Sequence, residues 1–214
     1  MRGESMLPGP CIIRKCAVCR KLFQQDTIES GNTCGARYWT DGMRFAPMLP
    51  DNPRLVKCPH CASLVWINEQ ESVGEAWPVE LENTPFKGAL PYHLPSVHDY
   101  CTFLRTGQVD RDNERYLRIR AWWTGNDARR YDQPFTPFSD EELDNLHALA
   151  GLLNQSDDND RVMKAEIMRE LGRYEDATAL LSVQFPESLA SAAATIRNLA
   201  AQKISRVKEM IFDD

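Results

Sequence analysis

The chain has 214 residues, of which 43% are hydrophobic and 26% are charged, and its formal net charge at pH 7 is −6. This length and composition suit one large domain or two small ones and exclude wholesale disorder. The acidic balance argues against a general nucleic-acid binder. Residues 1–70 nevertheless hold nine Lys and Arg against six Asp and Glu, so the N-terminal third is mildly basic.

Targeting signals are not evident in the sequence. No apolar run approaches the roughly 20 residues that a membrane helix needs. The first ten residues lack the apolar core of a signal peptide. We therefore expect a cytoplasmic protein without a membrane association.

The N-terminal segment is predicted to be a flexible arm over residues 1–11, because its first ten residues include two prolines, two glycines and a serine. A short strand is predicted at Ile12-Ile13, and Leu22-Phe23 is predicted to continue that strand beyond the first pair of cysteines.

Two C-x2-C pairs dominate the first third of the chain. Cys16 and Cys19 form the first pair, and Cys58 and Cys61 form the second after 38 intervening residues. Each pair can direct two sulfurs at one point, and two pairs complete the tetrahedral ligand set of a structural zinc site. Iron is a possible substitute because it accepts the same ligands. Redox-active dithiols, disulfides or free thiols are the alternatives.

Three further cysteines remain outside these pairs, namely Cys11, Cys34 and Cys101. A total of seven cysteines fits poorly with a framework of disulfides. Cys34, between Thr33 and Gly35, is the best candidate for a reactive thiol, but no partner base is identifiable beside it.

The segment between the cysteine pairs is predicted to form a hairpin. Residues 36–40 and 43–46 read as strands, and Asp41-Gly42 between them is a strong turn signal. Residues 55–57 are predicted to enter the second pair as a strand, and residues 63–67 to leave it as another. Such a small antiparallel sheet buries little surface, so the metal would contribute folding free energy directly.

This pattern resembles a zinc ribbon over residues 12–67. The four paired cysteines match the ligands of that family, and Pro59 matches its common C-P-x-C form. Arg20 and Ala62 depart from the family, which often has glycine directly after the second cysteine of each pair. The insert is also longer than in compact ribbons. With its Trp39–Gly42 and Ala46–Pro50 segments, the chain is similar to bacterial zinc-ribbon proteins without an assigned function.

The remainder is predicted to be a linker followed by a helical domain. The zinc-ribbon domain is assigned to residues 12–70, an extended linker to 71–95 and a helical domain of five to six helices to 96–214. Ser96, Asp110 and Ser139 are predicted helix N-caps, and Gly107 is predicted to end the first helix. The overall fold class is α+β, with a small antiparallel β zinc ribbon preceding an all-helical domain.

Residues 158–186 resemble one tetratricopeptide repeat. Ala165 and Ala177 match the two small positions of that repeat, and Leu171-Gly172 with Tyr174 match its turn. Only one copy is present, whereas such repeats need neighbours to bury their faces. The prediction is therefore one tetratricopeptide-like hairpin, covered by a last helix over residues 187–212.

Other groups of polar residues give weaker signals. His98 with Cys101, near His93, is a conceivable second metal site, although a packed cysteine near a helix cap explains it equally. Asp144 and His147 lack the second pair that a metal motif needs. Several arginines could meet phosphate or an acidic partner, but interleaved acidic residues favour local pairing on a solvated face: Arg111, Arg115, Arg118, Arg120, Arg129 and Arg130. Trp122-Trp123 is interpreted as packing, with one ring partly exposed.

Three functions follow from these features. The first is a non-enzymatic protein–protein adaptor that uses its helical domain to bind an unknown protein partner, because no catalytic motif is found. The second is a nucleic-acid-binding or transcription-associated protein, with contacts from Arg37, Tyr38, Trp39 and Arg44. The third is a thiol redox switch that releases zinc on oxidation.

Overall fold

A computed structural model describes residues 6–131 and 136–211 of the chain. The chain divides into two compact units. One, called here the N-terminal unit, comprises the residues up to 36 together with 45–95. The other, the helical unit, comprises 37–44 together with the chain from 96 onward. Sheets and helices are both present, which confirms the predicted α+β class.

The described residues contain eleven short strands and six helices. In chain order, the strands are β1 Leu7–Pro8, β2 Cys11–Lys15, β3 Leu22–Gln25, β4 Ile28–Ser30, β5 Arg37–Trp39, β6 Arg44–Phe45, β7 Leu55–Lys57, β8 Leu64–Trp66, β9 Glu71–Ala76, β10 Leu90–Pro91 and β11 Glu209–Met210. The helices are α1 Val97–Thr106, α2 Arg111–Asn126, α3 Asp140–Leu152, α4 Asp158–Glu170, α5 Tyr174–Leu180 and α6 Glu187–Ala201.

The main sheet of the N-terminal unit has the strand order β10-β3-β2-β9. The prediction that Leu22-Phe23 continues the first strand is wrong, because β3 pairs antiparallel with β2. The chain reverses at the first cysteine pair, where the Cys16 N–H donates to the Lys21 carbonyl at 3.0 Å. The cysteine pair is thus the turn of a hairpin.

The predicted linker over residues 71–95 contributes strands to this sheet. β9 pairs antiparallel with β2, and β10 pairs parallel with β3. The reason is visible at Gly74, where an added Cβ would lie 2.4 Å from the Phe86 ring. The missing side chain lets Phe86 pack against the small core of Ile13 and its neighbours. Isolated residues of this kind leave no periodic pattern in the sequence.

Part of the predicted flexible arm is also paired. Leu7 and Pro8 form β1 and pair antiparallel with β4, while Cys11 is the first residue of β2. Residues 1–5 of the arm lie outside the described residues.

The helical unit begins as its capping residues predict. Ser96 and Ser139 each form a reciprocal capping box, with Asp99 and Glu142 respectively. Asp110 caps α2, and Gly107 ends α1. These interactions are local in sequence, which is why the prediction succeeds. The helix predicted over residues 187–212 ends earlier, at Ala201, and Lys203 beyond it adopts a left-handed φ of 55°.

α4 and α5 form a helix–turn–helix at the predicted position. Gly172 has a φ of 74°, and the Arg173 N–H donates to the Met168 carbonyl at 2.8 Å, as in a Schellman turn. Ala165 and Ala177 are both fully buried. Between α2 and α4, a hydrophobic core includes Trp122, Leu146, Leu149 and Ile167.

The predicted hairpin between the cysteine pairs is confirmed and belongs to the helical unit over residues 37–44. Gly42 provides its turn with a φ of 80°. β11 pairs antiparallel with β5, so that Glu209 lies opposite Trp39. The hairpin is therefore held by the last described strand of the chain.

A buried polar network joins this hairpin to α2 and α4. Arg130 donates to both carboxylate oxygens of Asp41, at 2.7 and 3.2 Å. Asn126 donates to Asp41 and to Glu170, and the indole of Trp122 also donates to Glu170. All of these side chains are at least 97% buried. The prediction that Arg130 lies on a solvated face is therefore wrong, and the same holds for its neighbour Arg129, which pairs with Glu142.

Candidate metal centre and helical groove

The four paired cysteines come together in the N-terminal unit. Their sulfur atoms all lie within 4.8 Å of one another, and they form the one metal-type cluster found among the described residues. The Sγ atoms of Cys16 and Cys61 are 3.9 Å apart, and those of Cys19 and Cys58 are 3.8 Å apart. These separations exceed the roughly 2.05 Å of a disulfide, so the four thiols are free.

The sulfur spacing fits a tetrahedral metal ion. A metal–sulfur distance of ~2.3 Å implies an edge of ~3.8 Å between neighbouring sulfurs of a tetrahedron. The two measured edges match this value to within about 0.1 Å. Two of the six edges therefore have the length expected around a four-coordinate ion, and all four coordination positions would be filled by thiolates.

Both cysteine pairs use the same backbone geometry. The Arg20 N–H donates to the Cys16 carbonyl at 2.9 Å, and the Ala62 N–H donates to the Cys58 carbonyl at 3.0 Å. The first cysteine of each pair also donates its own N–H to the residue five positions later. Each pair thus forms the turn of a hairpin, β2–β3 in one case and β7–β8 in the other.

The residue after each pair adopts a left-handed conformation. Arg20 has a φ of 63° and Ala62 a φ of 58°. Glycine is the residue best suited to such values. The two departures from the zinc-ribbon pattern therefore lie at positions where the backbone would favour glycine.

The surroundings of the cluster shift the pKa values of Cys61 and Cys58 in opposite directions. Hydrogen bonds from the Ser63 hydroxyl and the Ser63 N–H lower the pKa of Cys61 to about 6. The Ser63 hydroxyl lies 3.4 Å from the Cys61 sulfur. Burial raises the pKa of Cys58 to about 12, while the N–H groups of His60 and Cys61 act in the opposite direction. A bound cation would stabilise the buried Cys58 as a thiolate.

The first cysteine of each pair is buried and the second is partly exposed. Cys16 and Cys58 are 0% and 1% exposed and pack with Phe23, Val56 and Ile67. These side chains form the hydrophobic core between the two hairpins, and the two buried cysteines are part of it.

Two side chains that the sequence does not reveal join the hairpins. The His60 ring lies 2.8 Å from the Leu22 carbonyl and so links the second pair to β3. Gln70 accepts from the Ala17 N–H at 2.9 Å and donates to the Trp66 carbonyl at 3.0 Å. Polar residues of these types are too common for either role to be predicted.

The leftover cysteines do not form a second cluster within the described part of the chain. Cys11 is buried beside Asp26, and burial together with that carboxylate raises its pKa to about 11. Cys101 is buried near the Glu141 carbonyl. His98 is exposed and pairs instead with the Glu141 carboxylate at 3.1 Å. Cys34 is exposed, as a candidate reactive thiol would be.

Most of the predicted basic residues are paired. Arg115 pairs with Asp160, and Arg118 pairs with Glu114 on the same helix. Trp122 is buried, whereas Trp123 is partly exposed and donates to the Asp41 carbonyl. The predicted packing role of these tryptophans is consistent with this arrangement.

The proposed nucleic-acid contact set is only partly accessible. Trp39 is 3% exposed. Arg37 pairs with Glu209 and stacks on the rings of Trp39 and Tyr131, with its guanidinium carbon 5.3 and 5.0 Å from the ring centres. Arg37 is therefore already paired with a carboxylate although 39% of its side chain is exposed, and Trp39 is too buried to stack on a base.

The helical unit also contains an open groove of about 680 Å³. α3, α4 and α5 line it, and we call it the α3–α5 groove. Its lining residues are His147, Ala150, Gly151, Gln155, Arg161, Lys164, Met168, Arg173, Asp176, Ala179, Leu180 and Val183.

Comparison of the chain with protein-family models, curated proteins and solved structures gives no match. The zinc-ribbon and tetratricopeptide resemblances therefore rest on the residues quoted above. Among the described residues, no helix combines the length and apolar character needed to cross a membrane.

Proposed function

We propose that the protein is a non-enzymatic, cytoplasmic protein–protein adaptor stabilised by one structural zinc ion. The observation that carries the structural part is the four-sulfur cluster, which has tetrahedral spacing and lies in the core of the N-terminal unit. Four thiolates complete the coordination of zinc and leave no position for substrate or water. Iron remains the substitute that the same ligands would accept.

The α3–α5 groove supports the adaptor part of the proposal. A volume of about 680 Å³ is within the range of sites that bind small ligands or a few side chains. Its two arginines are held in place by ion pairs, Arg173 with Asp176 and Arg161 with Asp158.

Metal analysis of the purified protein tests the structural part. We expect one zinc per chain by mass spectrometry of the native protein and by elemental analysis. A Cys58→Ser variant should lose the metal, whereas Cys34→Ser should keep it, because Cys34 lies outside the cluster. One equivalent of iron instead would change the metal assignment, and absence of any metal would refute the structural role.

Affinity capture from lysate of the source cell, with and without nuclease, tests the adaptor part. Recovery of the same protein in both arms would support an adaptor. Loss of the recovered material on nuclease treatment would favour the nucleic-acid alternative, whose binding should also weaken steeply with salt. Recovery of no partner in either arm would remove the main support for an adaptor.

A further inference from the structure

The α3–α5 groove combines an apolar floor with a basic rim. Met168, Ala179 and Leu180 contribute apolar surface, and Val183 remains 40% exposed at one end. Methionine adapts its shape to different apolar side chains. The floor is therefore suited to hold an aliphatic side chain of a bound molecule.

The charges on the rim are predominantly positive. Three cations line the groove, Arg161, Lys164 and Arg173. Asp158 pairs with Arg161 at 3.8 Å and Asp176 with Arg173 at 2.7 Å, which leaves one positive charge without an acidic partner. The whole chain, in contrast, has a net charge of −6. A positive groove on an acidic protein selects its ligands by charge.

Two polar side chains of the groove have no partner within the described part of the chain. Arg161 donates to the Gln155 carbonyl, and Arg173 pairs with Asp176 at 2.7 Å. Lys164 and His147 make no hydrogen bond or ion pair with the described residues, and both line the groove. Lys164 is thus the charge that is available to a ligand.

We infer that the α3–α5 groove binds an acidic linear segment of a partner protein, with one aliphatic side chain on the apolar floor and a carboxylate at Lys164. The described lining residues include no Phe, Tyr or Trp, so the groove lacks the large aromatic faces on which single-stranded nucleic acids stack. This inference rests on the adaptor function proposed above and specifies the chemistry of its partner.

A random peptide library displayed on phage tests this inference on the full chain. Wild-type protein is compared with Lys164→Glu and with Lys203→Glu, an identical charge change at an exposed residue of the same unit that does not line the groove. Enriched peptides should carry Asp or Glu around one aliphatic residue. Their dissociation constants, measured by fluorescence anisotropy, should rise about tenfold in Lys164→Glu and less than about twofold in Lys203→Glu.

Lys164→Gln provides a second variant if charge reversal disturbs folding. It should weaken binding by about threefold, and thermal unfolding should match the wild type for both substitutions. Enrichment of neutral or basic peptides, equal binding to Lys164→Glu, or no enrichment at all would overturn the inference. Lys164-dependent binding of a single-stranded oligonucleotide, or self-association through this groove, would also overturn it.

The affinity-capture experiment distinguishes failure of the inference about the groove from failure of the proposed adaptor function. If a protein partner is recovered equally by wild type and Lys164→Glu, the adaptor survives and uses another surface. If no partner is recovered at all, the proposed function itself fails.

Discussion

The left-handed residue after each cysteine pair gives a sharp prediction about stability. Ala62 has a φ of 58° and is exposed, so replacing it with glycine removes almost no packing. A left-handed conformation costs an L-residue roughly 1–2 kcal/mol. Glycine recovers this energy but also increases the conformational entropy of the unfolded chain, which lowers the free energy of unfolding by about 0.4–1 kcal/mol. We expect Ala62→Gly to stabilise the protein by about 0.5–1 kcal/mol.

Ala17→Gly is the matched control. Ala17 is also exposed and lies within the other cysteine pair, but its φ is not left-handed. Glycine there gains no relief and should destabilise the protein by about 0.5–1 kcal/mol. The two substitutions should therefore change the free energy of unfolding in opposite directions, and the two variants should differ from each other by about 1–2 kcal/mol.

Cobalt-substituted protein provides the assay. Thiolate-to-cobalt absorption reports on the cysteine cluster itself, so its loss in a urea titration follows unfolding of this site rather than of the helices. Equal destabilisation by Ala62→Gly and Ala17→Gly would refute the argument, since the left-handed backbone would then carry no cost.

The remaining predictions concern the buried polar network. Arg130→Met should destabilise the protein by about 3–5 kcal/mol in urea unfolding, because it leaves the buried Asp41 carboxylate without its cation. Adding Asp41→Asn should recover part of this loss, and a purely additive double variant would contradict the pairing. Burial, followed by the charges of Glu166 and Asp41, raises the pKa of Glu170 well above its usual range. Folding is therefore favoured while Glu170 is protonated, and the wild type should lose stability relative to Glu170→Gln as the pH rises from the ordinary carboxyl range towards the raised pKa of Glu170. Parallel stability curves would refute this.

The charge balance of that network explains why the pKa of Glu170 is raised. Arg130 pairs with Asp41, and Arg169 pairs with Glu166 on its own helix. Glu170 is the third carboxylate, and its described hydrogen bonds come from the neutral donors Trp122 and Asn126. Two cations thus balance two of the three acids, and the remaining acid is most stable in its neutral form.

The elements that the sequence predicts well are those whose determinants are local. The two C-x2-C pairs predict the cluster because each turn already directs two sulfurs to one side. Ser96 and Ser139 predict helix starts because their partners lie three residues away. Gly42 and Gly172 predict turns because only glycine adopts their φ values without strain.

The predictions that fail concern residues whose contacts are distant in the sequence. Arg130 contacts Asp41 across 89 positions, and nothing near Arg130 in the sequence indicates that it is buried. The strand β9 is not predictable from local sequence, because its place in the sheet depends on the space that Gly74 leaves for Phe86, twelve residues later. The prediction for Leu22-Phe23 fails because the first cysteine pair forms a hairpin turn, so that β3 runs antiparallel to β2. His60 and Gln70 join the two pairs through common polar groups that carry no sequence signal.

The hairpin of residues 37–44 lies between the two cysteine pairs along the chain yet belongs to the helical unit. Neither unit is therefore a continuous piece of polypeptide, and cleavage after Pro95 would not release two self-sufficient halves. The first fragment would carry Trp39 and Asp41 without the groups that bury them, and the second would leave Arg130 and Arg169 without Asp41 and Thr40. During synthesis, β5 of the hairpin cannot pair with β11 until that strand has been made, about 165 residues after the hairpin. The hairpin is thus completed only when β11 has been made, and truncations that remove Glu209 and Met210 should be as damaging as changes within the core.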